Sequence, residues 1–366
     1  MLLNKYQHGK KMIDYRTIDF GRDIDRFERE ILDPVFDRIA PHIQMSFAEC
    51  YYLNGVIRKA KPKRILEIGT ARGGTAALML NATCDVDDSF VVSLDYNVEC
   101  YIQPDKQTGW IVPELFPELA SRWKFKGGGY VCQYLDEISR GEKFDMLFLD
   151  TTHSNPGEFL HILEALPYLK DGAIVVLHDT ALYTALGQRR METNQILLAT
   201  LKGRRILFDD PACPVIPNIG GIVLDPIDRD TLWGLFSNTA LPWVYPTSLP
   251  EDEYALLLKH YYRHYDKDLV AIFDRSANWH RQRDALIHEI KPPKIALHKM
   301  LGYAEKIKFF GKFPLLAKRT RDIPPPQGGV HAALYLFGAI PLVSKATTAN
   351  NVTKWKLFDV LPVPTM

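Results

Sequence analysis

Apolar and polar positions along this chain follow two periods in turn, and the changes of period mark out its elements. Ile24, Phe27, Ile31, Val35, Phe36 and Ile39 recur at helical spacing and stop at Pro41; Phe47, Tyr51, Val56 and Ile57 repeat the pattern before Pro62. Two helices are therefore predicted ahead of residue 62, after a polar, loosely held stretch over 1–20. Short apolar runs follow at 64–68, 90–94, 123–126, 144–149 and 173–177. Helical stretches separate them: one from Thr75, one over 113–123, and one over 158–170 with Phe159, Leu163 and Leu166 on one face and Asp171-Gly172 closing it. Such alternation predicts an α/β fold with a doubly wound, mostly parallel sheet. The runs at 204–208 and 221–224, joined by a proline-rich loop, predict a closing antiparallel hairpin that brings the sheet to seven strands.

Past residue 227 the character changes. A proline-punctuated loop over 241–250 precedes helices near 251–264 and 268–290. In that loop Trp243 and Tyr245 either form a stacking platform for a sugar ring or anchor the loop on the core. The expected division is a helical cap over 1–60, a core domain over 61–227, and a helical, proline-punctuated appendage over 228–366.

Length and composition leave room for this plan, since 366 residues at 46% hydrophobic bury a full core. A net charge of +1 supplies no global drive toward nucleic acid or membrane, so nucleic acid is not expected as a partner and any membrane contact must come from a local patch. Cys50, Cys84, Cys100, Cys132 and Cys213 form no Cys-x-x-Cys pair and read as small buried residues of a reducing compartment. With no signal-peptide core and no run long enough to span a bilayer, a cytoplasmic location is expected.

The candidate chemistry begins at 63–80, where a buried strand, a glycine turn and a helix start follow one another. Such a turn lays backbone and a helix N-terminus against a nucleotide-like ligand. Gly69, Gly73 and Gly74 do not fit the G-x-G-x-x-G dinucleotide spacing, and no lysine follows Gly74 as a phosphate loop requires. What remains, Glu67-x-Gly69-x-x-x-Gly73, resembles the first motif of the class I S-adenosylmethionine-dependent methyltransferases. Asp95 stands 28 residues beyond Glu67 at the end of the second strand, where an acidic side chain accepts hydrogen bonds from ribose hydroxyls. The resemblance implies a Rossmann-like fold and a cofactor site made by Glu67, Gly69, Thr70, Gly73, Gly74 and Asp95. Where that family often has an acidic residue for adenine, this chain has Gly127-Gly128-Gly129.

Ligands of doubly wound sheets sit beyond the carboxyl ends of the strands, so Asp150, His153, His178 and Asp179 should meet the glycine turn in one crevice. Methyl transfer to a hydroxyl needs in-line positioning and removal of one proton, aided by a base or a divalent cation. Here the chain resembles most the metal-assisted small-molecule and sugar O-methyltransferases. That likeness implies Asp150, Asp179 and His178 as ligands of magnesium or manganese, and His153, with Asp150, as the catalytic pair. A histidine at 178, where the family usually has an acid or amide, shifts the preference from magnesium toward manganese, iron or zinc. The reading without metal has Asp179 cap the next helix and His178 fill a strand end.

From 291 to 321 nine basic residues stand against Glu305 alone, interleaved with Leu301, Ile307, Phe309, Phe310 and Phe313. Three copies of aromatic-x-x-apolar-Pro-apolar begin at Phe310, Phe337 and Phe358, and they resemble short tail segments of bacterial enzymes that build surface polysaccharides. A repeat this short reads as a hairpin or extended-strand module. The expectation is a methyltransferase acting on a hydroxyl of a sugar or other small molecule in surface polysaccharide synthesis. Its tail over 291–366 would contact a membrane surface or a glycan-assembly enzyme, and the oligomeric state is left open. A scaffold that keeps the fold without catalysis, and a hydroxylase-like relative with a redox metal at His153, Asp150 and His178, are the alternatives.

Overall fold

A computed structural model describes residues 13–153, 155–185, 192–206, 208, 218–243 and 249–289, together with strands between 303 and 362. It divides into two compact units, Met1–Asp284 and Ala285–Met366. In the first unit the strands are β1 (Arg64–Ile68), β2 (Phe90–Asp95), β3 (Trp123–Gly127), β4 (Phe144–Leu149), β5 (Leu169–His178), β6 (Gly203–Ile206) and β7 (Ile219–Leu224). They form one sheet in the order β3-β2-β1-β4-β5-β7-β6. Strands β1 to β5 pair in parallel, and β7 runs antiparallel to both β5 and β6. The Rossmann-like, seven-stranded sheet expected from the sequence is therefore present, with the topological switch between β1 and β4.

The sheet is buried on both faces, which is why its strands read as continuous apolar runs. Neighbouring residues point to opposite sides: Ile65, Met146 and Val176 join one core cluster, and Leu66, Leu147 and Val175 the other. On the first side pack α1 (Arg29–Ile39), α2 (Phe47–Ala60) and α3 (Gly74–Ala82). The short helices α4 (Ile111–Leu115) and α5 (Leu135–Ser139) follow, then α6 (Gly157–Ala165), α7 (Leu182–Ala185) and α8 (Thr193–Thr200). Last come α9 (Arg229–Asn238), α10 (Glu251–His264) and α11 (Lys267–Glu289), whose Phe236, Leu257, Tyr261 and Phe273 belong to the second core with α6.

That packing corrects the expected boundary at 227/228, because the helices from Arg229 to Ala277 complete the core of the first unit. Element bounds differ as well, with β5 beginning at Leu169 and taking in Asp171-Gly172. Glu28 is left-handed (φ 46°), so the pattern starting at Ile24 gives a 3-10 turn and then α1. The helix expected over 113–123 stops at Leu115, because Pro117 pushes Phe116 out of the helical region (φ −131°). The helix expected over 158–170 ends at Ala165, where Pro167 removes a ladder N–H and a 3-10 turn leads straight into β5. Tyr15 and Phe20 are buried, and Arg16 bridges Asp14 and Asp171, so the later part of the segment expected to be loose is tied to the core; residues 1–12 lie outside the described residues.

The second unit is a meander rather than an α-rich appendage. Its strands β8 (Tyr303–Phe309), β9 (Phe313–Asp322), β10 (Val330–Leu336), β11 (Ile340–Thr347), β12 (Thr353–Leu357) and β13 (Leu361–Pro362) pair in sequence order, all antiparallel where they meet. Each sequence repeat spans the junction of a strand pair, β8/β9, β10/β11 or β12/β13, and puts its proline second in the following strand. The hairpin reading of the repeat holds.

Candidate active site

The carboxyl ends of β1, β2, β4 and β5 open into one cavity of ≈ 600 Å³. Its floor on one side is the turn after β1. Gly69 has φ +92°, and a Cβ there would lie 1.6 Å from the Asp150 carbonyl oxygen, so only glycine lets this turn press against the end of β4. Gly73 has φ +91° and backs onto Gly109. Asp95 braces the turn: its Oδ2 accepts hydrogen bonds from the N–H groups of Thr70 (2.9 Å) and Ala71 (3.1 Å), and its Oδ1 accepts one from Asn97 N–H (2.9 Å).

Gly69, Thr70, Gly74 and Asp95 line the cavity; Glu67 and Gly73 stand behind the wall. Glu67 is fully buried, and burial pushes its carboxyl up to about 8 against the lowering effect of the Ser93 and Thr70 hydroxyls, with the charges of Asp150 and Asp95 adding to the rise. On the far wall Gly129, Tyr130 and Val131 occupy the region where an acidic residue was missing from the sequence. The loop between α1 and α2 contributes His42, Gln44 and Met45, and the exposed Tyr101 donates to Gln44 Oε1 at 3.1 Å. The N-terminal helices thus both pack on the sheet and bring a loop to the cavity. Trp243 is no platform: it is buried, stacks on His280 at 4.4 Å and donates from Nε1 to the Thr239 carbonyl. Tyr245 lies outside the described residues.

Across the cavity, side chains rather than backbone make the surface. One ligand atom each from Asp150, His153 and Asp179 lie within 4.8 Å of one another. His153 Nε2 is 3.0 Å from Asp179 Oδ2 and 3.8 Å from Asp150 Oδ1. Its Nδ1 is sealed from solvent, 3.9 Å from Glu158 Oε1, which leaves Nε2 as the nitrogen available to the cavity. His153 and Asp179 both have left-handed backbones, φ 54° and 53°, a strain that persists only where neighbours impose it. The neighbours are specific. Glu158, buried at the start of α6, accepts from His153 N–H, from the Thr151 hydroxyl (3.2 Å) and from the Thr193 hydroxyl (2.6 Å). Asn218 Nδ2 donates to Asp179 Oδ1 at 2.5 Å, and its Oδ1 accepts from Ala181 N–H.

His178 stands apart from that trio. Only 2% exposed, it lies 3.1 Å through Nδ1 from Asp150 Oδ2 and 3.6 Å through Nε2 from Glu49 Oε1. Glu49 also closes the capping box of α2 with Ser46. Burial alone would favour the neutral ring, but the carboxylates of Asp150, Glu49 and Asp179 outweigh it and hold His178 well above its ordinary value. Burial likewise works to raise Asp150, yet the charges of His178 and His153 hold it below the usual carboxylate range; for Asp179 burial prevails and its pKa is raised. Two carboxylates and one imidazole within reach of one point fit a divalent transition-metal ion such as manganese better than magnesium. In that arrangement His153 takes the third position expected for His178. Glu158, Glu49 and Asn218 went unread in the sequence. Ser46-x-x-Glu49 carries the capping-box pattern of a helix start, but nothing local connects it to His178.

Residues 66–180 match the family model described as a methyltransferase domain. No curated protein matches the chain. Similar solved structures include an O-methyltransferase from Bacillus cereus in complex with SAH, at 16% identity over 53% of this chain and 90% of that one with a TM-score of 0.38. Another is the O-methyltransferase TomG from Streptomyces achromogenes, involved in tomaymycin synthesis and bound to SAM, at 16% identity over 57% and 92% with a TM-score of 0.39. MycE, a methyltransferase of mycinamycin biosynthesis in complex with Mg, SAH and mycinamycin VI, matches at 16% identity over 56% and 57% with a TM-score of 0.38.

Proposed function

We propose that this protein, whose residues 66–180 match a methyltransferase-domain family model, transfers a methyl group from S-adenosylmethionine to a hydroxyl of a sugar or other small molecule. The observation that carries the cofactor half is Asp95. The turn amides that would cradle a phosphate are already taken by its carboxylate, so the cavity offers an acceptor to a ligand rich in hydroxyl donors and free of phosphate. A nucleoside with a charged side arm has that character, and ≈ 600 Å³ accommodates one. Gly69, Thr70, Gly74 and Asp95 would hold it directly. Gly73 would shape the turn, and Glu67 would support the strand end. S-adenosylmethionine supplies the electrophilic methyl group when bound.

The acceptor hydroxyl then belongs beside Asp150, His153 and Asp179. His153 Nε2 takes its proton, and Asp179 and Asp150 orient the ring and stabilise the imidazolium that results. A divalent ion held by the same three residues would instead lower the pKa of the hydroxyl itself, with His153 serving as ligand. His178, buried behind Asp150 with Nδ1 3.1 Å from its Oδ2, positions that carboxylate in either case. The hydroxylase-like alternative needs His178 as a ligand in place of Asp179, and the grouping of donors favours Asp179. The acceptor class, a surface glycan or its precursor, and a role for 291–366 in reaching a membrane or a glycan-assembly enzyme rest on the basic, repeat-bearing tail.

The test is transfer of labelled methyl from S-adenosylmethionine to a panel of sugar acceptors, run with and without chelator. Labelled product that is lost on chelation and restored by manganese supports the ion-assisted route. Product insensitive to chelation supports His153 as the base. No transfer to any hydroxyl compound, from protein that does not bind the cofactor, overturns the reading.

A further inference from the structure

The register of the second unit sorts its charges by face. Residues directly opposite in an antiparallel pair share a face, and so do residues two apart on one strand. Arg319 pairs with Ala304 on one side and Ala333 on the other; Ala333 pairs with Ser344, and Ser344 with Lys356. One step along, Arg321, His331, Ala346 and Lys354 form the next row. Lys306 pairs with Ala317, two residues before Arg319, and Lys308 lies two beyond Lys306. Lys306, Lys308, Arg319, Arg321, Lys354 and Lys356 therefore occupy one face, and among the described strand residues no aspartate or glutamate shares it. The opposite face holds Glu305 paired with Lys318, Asp322, and Lys345 paired with Trp355. Its charges balance, and the larger apolar residues, Ile307, Leu316, Leu334 and Val343 among them, fall there.

The basic residues are spread in two dimensions. Strands lie about 4.8 Å apart, so Lys306 and Lys356, four strands apart, are separated by roughly 19 Å across the sheet, and β8, β9 and β12 each repeat their charge after about 6.8 Å along the strand. A single extended polyanion would follow one row and miss the rest, whereas a surface carrying anionic groups throughout meets all the rows together. We propose that this face of the second unit docks the enzyme onto a bilayer that displays anionic lipid headgroups. This deepens the surface-contact part of the proposed function and is independent of the methyl-transfer chemistry. It also extends the basic region past Arg321 to Lys354 and Lys356, which only the register brings together with it.

The experiment is co-sedimentation of the full chain with phosphatidylcholine vesicles, with and without phosphatidylglycerol, at low and high salt. Binding is expected only to phosphatidylglycerol vesicles and is lost at high salt. At about 1 kcal/mol per basic residue near such a surface, K354Q/K356Q should weaken partitioning about thirtyfold, and R319Q/R321Q by a similar factor. K318Q/K345Q removes the same charge from the opposite face and should leave binding unchanged. Absence of binding to anionic vesicles, equal weakening by K318Q/K345Q, or retention on soluble heparin without vesicle binding each overturns the proposal. S-adenosylmethionine affinity measured on the same variants should match that of the unaltered chain. Vesicle binding by a chain that does not bind S-adenosylmethionine would overturn the proposed function and leave the docking face standing.

Discussion

The two sides of the cavity are built from different materials. The glycine-turn side is backbone, braced by one carboxylate that accepts the N–H groups of Thr70 and Ala71. The opposite side is a group of ionisable side chains held by others: Glu158 at the start of α6, close after His153 in the chain, and, from farther away, Glu49 of α2 and Asn218 just ahead of β7. A backbone site is fixed by the fold and fails when the turn cannot close. A side-chain site fails one residue at a time and leaves the fold standing. Substitutions on the first side should therefore cost stability and cofactor affinity, and those on the second should cost turnover.

The sharpest break on the backbone side is Gly69→Ala. Left-handed strain and the collision with the Asp150 carbonyl add to a cost on the order of 3–5 kcal/mol. Thermal melts should show a large fall in Tm or no folded protein; a variant that melts with the parent would mean that the turn is not pressed against β4. On the other side, His153→Ala should lower single-turnover methyl transfer by about 10²–10⁴-fold at saturating cofactor, with Tm little changed. A loss of only a few-fold would remove the histidine from proton transfer.

A third test separates the two sides by pH. The Glu67 carboxyl is raised from 4.5 to about 8 in the folded protein, so folding favours its protonated form. Its stabilising contribution is complete below about 4.5 and is lost as pH rises through about 8. At roughly 1.4 kcal/mol per pKa unit, the difference of 8 − 4.5 corresponds to no more than about 4–5 kcal/mol. Glu67→Gln should remove this slope, so that the variant gains on the parent between those pH values and keeps a constant advantage above them. Parallel pH profiles of Tm for the two proteins would show that Glu67 is ionised at no such cost.

The difference in materials also explains what was legible in the sequence. The strand, glycine turn and helix of 63–80 are contiguous, so periodicity and three glycines were enough to find them, and Asp95, Asp150 and Asp179 were found because each ends an apolar run. Glu49 and Asn218 act across the fold, and no local pattern links them to His178 and Asp179; Glu158 stands close to His153 in the chain, but its place at a helix start gives no sign that its carboxylate turns back onto the His153 N–H. The same limit hides the place of 229–277: its helices are legible in the sequence, but their packing against α6 depends on contacts that sequence spacing does not carry. In the tail, the basic and aromatic content overlies the two-residue alternation of Ala304, Lys306 and Lys308 against Tyr303, Glu305, Ile307 and Phe309, which is the strand signal. The proline repeats were the better guide there.

The central claim is that one side of the cavity binds S-adenosylmethionine while the other acts on the hydroxyl. Titration calorimetry of S-adenosylmethionine with the full chain, Asp95→Ala and His153→Ala tests it most directly. The expected result is binding by the full chain, a loss of about 1.5–3 kcal/mol for Asp95→Ala, the range for hydrogen bonds to a charged group, and unchanged affinity for His153→Ala. Failure of the folded full chain to bind, or loss of affinity in His153→Ala with Asp95→Ala unaffected, would contradict it.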